Sequence, residues 1–296
     1  MSTHHLMTTR LVPMHPRRRQ RSGELARRDP DTDWQEIYRE LVLWEFTAEA
    51  RSGFQVALYR PQAVPRMASV LAGTGHIRAN PGRRTIDTGI VILELIHGGF
   101  DSERGRKMMR LMQALHNRPD IHQEDLTYVL NSLIVVPTRF IEKVGWRPLA
   151  PNEKTAAWRW WRELGSRMNI VQLPDSYEDA ERQFERYEAT NLAPSHEGQQ
   201  LTELILTAFA DWVPGPLSPH LGQITSALID DPQFSLAIGL EPARRPARVL
   251  VRLLHATRRL RQRLSPPAKE PGFTPGQVVD KVYPTGYDID KVGPLP

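Results

Sequence analysis

Residues 85–99 read TIDTGIVILELIHGG, and this stretch decides the fold. Ile86, Ile90, Leu93 and Ile96 recur at helical spacing, while Thr88, Val91, Ile92 and Leu95 form an adjoining stripe. A helix that is apolar nearly all round belongs at the centre of a protein. Gly98 and Gly99 end it, Asp101 caps the next helix, and Met108, Met112, Leu115 and His116 share one face of that second helix before Pro119 stops it. Convincing two-residue alternation is rare along the chain, so the class is all-α: a single globular multi-helix domain.

The same punctuation extends in both directions. Asp31 and Asp33 precede the periodic run Trp34, Ile37, Leu41, Trp44, the expected first helix of the folded body. A short helix is expected over Met67–Leu71, and a loop from Gly73 and Gly75 to Pro81 and Gly82. Towards the C-terminus, Glu124 and Asp125 open a helix that Pro137 breaks or kinks, and Asn152 caps one carrying Trp158, Trp161, Leu164 and Met168. Pro174 with Ser176 starts another, 198–212 is a further candidate, and a late helix combines Val249, Leu250, Leu253, Leu254 and Leu260 with eight arginines from Arg244 to Arg263 as a solvated basic face. From Ser265 onward seven prolines forbid a helix, so 265–296 is expected to be an extended strap that buries Phe273, Val278, Val279, Val282, Tyr283 and Tyr287 on the domain of residues 30–264.

Charge narrows the partners. The formal net charge is +5, and residues 1–29 account for all of it, with seven arginines against Glu24 and Asp29. The body is neutral, which removes the electrostatic footprint of a nucleic-acid-binding protein and leaves a basic, disordered arm over 1–29. No cysteine is present, which excludes disulfides, thiolate-ligated haem, iron–sulfur clusters and cysteine zinc sites. No apolar run approaches the roughly 18 residues of a transmembrane helix and no export signal is read, so the expected compartment is the cytoplasm.

Two constellations carry chemistry. Glu94 and His97 form one Glu-x-x-His pair of the kind found in di-iron bundles, but such a site needs a second pair and none occurs. Arg84, Asp87 and Thr88 share a helical face, which brings a guanidinium, a carboxylate and a hydroxyl together at the start of the central helix, with His116 one helix later. Arg84 there either holds a carboxylate such as a haem propionate or makes a helix-end ion pair with Asp87. Likewise His116 is either a hydrogen-bonded structural residue or an axial ligand to a flat apolar cofactor.

Several separated blocks, taken in order, shift that balance. Arg84-Thr85-Ile86-Asp87-Thr88, the run from Met112 to His116, Gln123-Glu124-Asp125-Leu126-Thr127-Tyr128, Gly145-Trp146-Arg147-Pro148-Leu149 with Glu153-Lys154, Trp161-Arg162-Glu163-Leu164-Gly165, Met168-Asn169-Ile170 and Pro174 resemble the MpaB and rubber oxygenase family. The resemblance covers roughly residues 34–212, with a weaker echo in Tyr283-Pro284-Thr285-Gly286-Tyr287. It implies an all-helical protein enclosing non-covalent haem b, with His116 as the proximal iron ligand and Arg84 and Met112 as further cofactor contacts. Latex clearing proteins carry Arg-x-x-Lys-Thr on the distal side, matched here by Arg84, Asp87 and Thr88, so an aspartate stands where they keep a lysine.

That departure argues against polyisoprene cleavage, because an ammonium and a carboxylate differ in charge and proton inventory. The resemblance implies a haem-dependent oxygenase that uses O2 as co-substrate and oxygenates or cleaves an alkene- or prenyl-type double bond in an apolar small molecule. Arg84, Asp87 and Thr88 are its expected catalytic groups. The alternatives are a helical protein that binds haem or lipid without turnover, and a scaffold that has lost its haem.

Overall fold

The computed structural model describes residues 14–277 and 281–293. Helix α1 (Pro16–Leu25) packs on the body, which corrects the expectation of disorder for this part of the arm. Its inward face is hidden in a basic composition. Leu25 is 1% exposed, and Arg18 lies 5.1 Å from the Trp146 ring while donating to the Ser265 carbonyl at 2.9 Å. The arginine stem packs as apolar surface and its head finds a ring face and a carbonyl. Residues 1–13 lie outside the described residues.

Helix α2 (Trp34–Glu40) runs into a π-helical turn, Leu41–Glu45, before α3 (Thr47–Leu58). A 3-10 turn, Arg60–Ala63, leads to α4 (Pro65–Gly73), α5 (His76–Ala79) and α6 (Pro81–Gly98). Helix therefore occupies most of the expected 73–82 loop, and Pro81 opens α6, where its missing N–H costs nothing. Helix α7 (Glu103–His116) is capped by Ser102, whose Oγ accepts from Gly105 N at 2.9 Å. Asp101, the expected cap, pairs with Arg167 instead.

Helix α8 (Gln123–Val144) is the most deeply buried α-helix among the described residues, with α3 and the helices Pro151–Arg167 and Tyr177–Asn191 packed around it. Pro137 neither breaks nor ends it. The proline forfeits one backbone hydrogen bond, but Gly53 of α3 faces it so closely that a Cβ there would stand 2.5 Å from Pro137 Cα. The close α3–α8 packing holds the helix together across the lesion. Helix α9 (Pro151–Arg167) starts after Ala150, whose N–H donates to Glu153 Oε2 at 2.7 Å; Asn152, the expected cap, donates instead to the carbonyls of Leu25 and Arg28. Trp160 and Trp161 of α9 anchor the core, with Trp161 Nε1 donating to the Tyr38 hydroxyl at 2.7 Å.

Helices α10 (Tyr177–Asn191), α11 (His196–Phe209), α12 (Leu221–Ile229), α13 (Pro232–Ala237) and α14 (Arg245–Leu264) complete the bundle. The strap that follows is docked: Gly272 N donates to Leu43 O at 2.6 Å, and Phe273 and Tyr287 are buried. Val278 and Val279 fall outside the described residues. Among the described residues no helix is long and apolar enough to cross a membrane.

Candidate functional site

The start of α6 is held by Asn80, whose side chain accepts from Arg83 N at 3.1 Å. One turn on, Arg84 Nη1 donates to Thr88 Oγ1, and the Thr88 hydroxyl donates back to Arg84 O at 2.9 Å. The threonine thereby fixes the guanidinium. Among the described residues no carboxylate lies within 4.0 Å of Arg84, because Asp87 pairs with Arg83 at 3.6 Å. The expected Arg84–Asp87 ion pair does not form. Burial depresses the pKa of Arg84, with the more distant Asp87 acting against it.

Asp87 is 2% exposed and its two oxygens are occupied from the strap. Tyr283 donates to Oδ1 at 2.5 Å and Gly293 N to Oδ2 at 3.0 Å. Burial raises the Asp87 pKa, opposed by these two donors and by Arg83 and Arg84. Seven residues along the same helix, Glu94 is engaged in parallel fashion by the Tyr287 hydroxyl and by Arg104. The His97 ring meets Phe273 edge-on. Glu94 is thus already satisfied by a cation and a phenol, which leaves the di-iron reading without its carboxylate.

His116 is the last residue of α7, and its Nδ1 lies 2.7 Å from Met112 O. A carbonyl only accepts, so Nδ1 carries the proton and Nε2 keeps its lone pair. Burial lowers the His116 pKa, the Met112 bond resists, and Arg84 pushes it further down. The imidazole is neutral at pH 7, oriented by its own helix, and its Nε2 has no hydrogen-bond partner among the described residues. A nitrogen of this kind is a metal ligand or a proton acceptor.

All five sequence-selected residues, Arg84, Asp87, Thr88, Met112 and His116, line one cavity of about 260 Å³. Its other walls are mainly aliphatic, among them Val91, Leu111, Leu130 and Leu133 from α6, α7 and the N-terminal half of α8, with further residues from α3, α4, α9 and α11. Met108, on the same stripe as Met112, is buried in the core instead. Sequence reasoning missed the strap's contribution: Gly293 lines the cavity and Tyr283 holds Asp87. The available signal was a match of registers, since tyrosines at 283 and 287 meet carboxylates at 87 and 94. It also missed Asp125, a cavity residue bound by Arg66 and Tyr187.

Residues 10–259 match the family described as "ER-bound oxygenase mpaB/B'/Rubber oxygenase, catalytic domain". The chain is 26% identical over 249 residues to the ER-bound oxygenase mpaB' of Penicillium brevicompactum, covering 78% of this chain and 59% of that protein. It is 25% identical over 214 residues to the ER-bound oxygenase mpaB of Penicillium roqueforti (strain FM164), covering 66% of this chain and 72% of that one. The match therefore spans less than two thirds of the first relative's length.

Proposed function

From the premise that the chain belongs to the MpaB and rubber oxygenase catalytic-domain family, we propose that it is an oxygenase holding haem b in this cavity, with His116 as iron ligand. One observation carries the reading: a neutral imidazole with Nδ1–H fixed by Met112 O and Nε2 unpartnered, in an aliphatic cavity that also contains a cation without a carboxylate. The donor set suits the group. Haem b needs an axial nitrogen, apolar walls for its macrocycle and a counter-charge for its carboxylates, and His116, the Met112 and leucine walls, and Arg84 offer these. When bound, haem supplies the activation of O2.

The chain's own groups do the rest. Arg84, fixed by Thr88 and without a carboxylate partner among the described residues, pairs with a carboxylate of the bound group. Asp87, whose pKa burial raises, holds a proton more readily than an ordinary carboxyl and can pass it to an acceptor in the cavity. Tyr283 and Gly293 set the orientation of that carboxyl. The aliphatic walls exclude water and favour an apolar small molecule, with an alkene- or prenyl-type double bond as the reacting group.

Absorption spectroscopy tests the reading first. Protein expressed with ample haem should show a Soret band, and His116→Ala should lose it while remaining folded. A colourless wild type, or a full Soret band in the alanine variant, overturns the assignment. Product formation from candidate alkenes on giving O2 to the reduced protein then separates an oxygenase from a haem carrier.

A further inference from the structure

Helix α14 is amphipathic in the wrong direction for a core helix. Val251, His255, Arg258, Arg259 and Gln262 face the protein: His255 packs against Phe140, Gln262 donates to Glu49, Arg258 lies 3.9 Å from Glu49, and Arg259 donates to Lys143 O. The apolar residues face out. Val249, Leu253, Leu260 and Leu264 are 53%, 61%, 46% and 50% exposed, and their spacings of four, seven and four hold them on one face. Apart from Arg263, the arginines of the expected solvated basic face are exposed, and an apolar row that the expectation did not include is exposed beside them.

The stripe has a defined border. Arg245 and Arg252 flank it on one side and Arg261 on the other, and all three are exposed. Residues 245–264 contain seven arginines and no acidic residue. The basic surface continues onto α1, where Arg17 and Arg19 are exposed and His15 N donates to Arg263 O at 2.8 Å.

We propose that α14 docks this protein on an anionic bilayer surface, lying in the headgroup plane with its leucines down and its arginines on lipid phosphates. An exposed apolar row flanked by arginines, Arg245 and Arg252 on one side and Arg261 on the other, matches the layering of such a surface, where acyl chains lie beneath fixed negative charge. A second copy of the chain fits poorly, since pairing α14 with itself brings arginine against arginine with no acid between them. The helix packs on α12 and on the C-terminal end of α8, whereas the cavity draws its α8 lining from Asp125 to Leu133. Docking is therefore independent of the haem reading.

The test is co-sedimentation of the full chain with vesicles of phosphatidylcholine alone, or with a third of phosphatidylglycerol. Binding is expected only to the anionic vesicles, weakened by salt, and reduced about tenfold or more by Leu253→Asp/Leu260→Asp and by Arg252→Ser/Arg261→Ser. Because the chain has no cysteine, Ala256→Cys places a single polarity-sensitive dye on the stripe and Ala189→Cys a control on α10. Only the dye at position 256 should shift to the blue on adding anionic vesicles. Absence of binding, binding that survives the double aspartate variant, or no shift at 256 each overturns the proposal. A wild-type dimer that the aspartate variant dissolves assigns the face to a second copy. Equal affinity for soluble polyglutamate assigns it to an acidic protein.

Discussion

Two half-buried arginines, Arg147 and Arg84, stand in opposite electrostatic circumstances. Arg147 meets Glu153 through two hydrogen bonds of 2.7 and 2.6 Å, lies 3.5 Å from Glu45, and stacks over Phe46 and Trp146. Burial alone pulls its pKa down, but Glu153 and Glu45 outweigh burial and the net shift is upward. Arg84 has the hydroxyl of Thr88 and an open cavity, and its pKa falls. A closed knot satisfies its charges internally and acts in folding. An under-compensated cation on a cavity wall is available to a ligand.

Removing each guanidinium gives the widest contrast. Arg147→Ala leaves Glu153, 1% exposed, with the Ala150 N–H but no cation, and leaves Glu45, also 1% exposed, with Arg21 at 3.5 Å; it should cost about 3 kcal/mol or more in urea unfolding, as expected when one partner of a buried ion pair is deleted. Arg84→Ala breaks no ion pair among the described residues and should stay within about 1 kcal/mol of wild type. Its effect belongs to the ligand: wild type should prefer haem to haem dimethyl ester, and Arg84→Ala should lose that preference by about tenfold or more. Equal stability losses for the two variants would erase the distinction.

The sequence treats these two regions alike, which explains what was legible in it. Helical periodicity and the ordered family blocks located α6, α7 and the cavity residues on them, because those depend on spacing within one element. The blocks did not say which residues serve the fold: Gly145-Trp146-Arg147 and Glu153 belong to the knot, Arg84 and Asp87 to the cavity wall. That division depends on partners remote in the chain, such as Glu45 for Arg147 and Tyr283 for Asp87. The outward stripe of α14 and the buried face of α1 were hidden for a related reason. Periodicity reveals that a helix has two faces, while the neighbouring elements decide which one is buried.

The two strap tyrosines repeat the contrast at a smaller scale. Tyr287 donates to Glu94, which is 1% exposed and also held by Arg104, so Tyr287→Phe should cost about 1.5–3 kcal/mol, the range for a hydrogen bond to a charged group. Tyr283→Phe leaves Asp87 with Gly293 N and Arg83 beside the cavity, and should cost about 1 kcal/mol. Since the Tyr283 hydrogen bond opposes the rise caused by burial, its loss should move the Asp87 pKa further up, readable by carboxyl NMR. A larger stability loss for Tyr283→Phe would make Asp87 a strap anchor first and a cavity group second.

The smallest effect concerns the proton on His116. The imidazole titrates at its ordinary 6.5 in the unfolded chain and lower in the folded one, chiefly through burial. Well above 6.5 neither state binds the proton, and His116 adds no pH dependence. As pH falls from there towards the folded value, the unfolded chain takes up a proton that the folded chain refuses. Stability should therefore decline by up to about 1.4 kcal/mol per pH unit from this residue, and the decline should stop below the folded value. His116→Gln should remove this component, seen as a wild-type-minus-variant difference that shrinks on acidification. Ring-nitrogen NMR of haem-free protein near pH 7.5 should find the proton on Nδ1, as the Met112 carbonyl requires. Finding it on Nε2 would occupy the nitrogen offered to iron and return His116 to the structural class of Arg147.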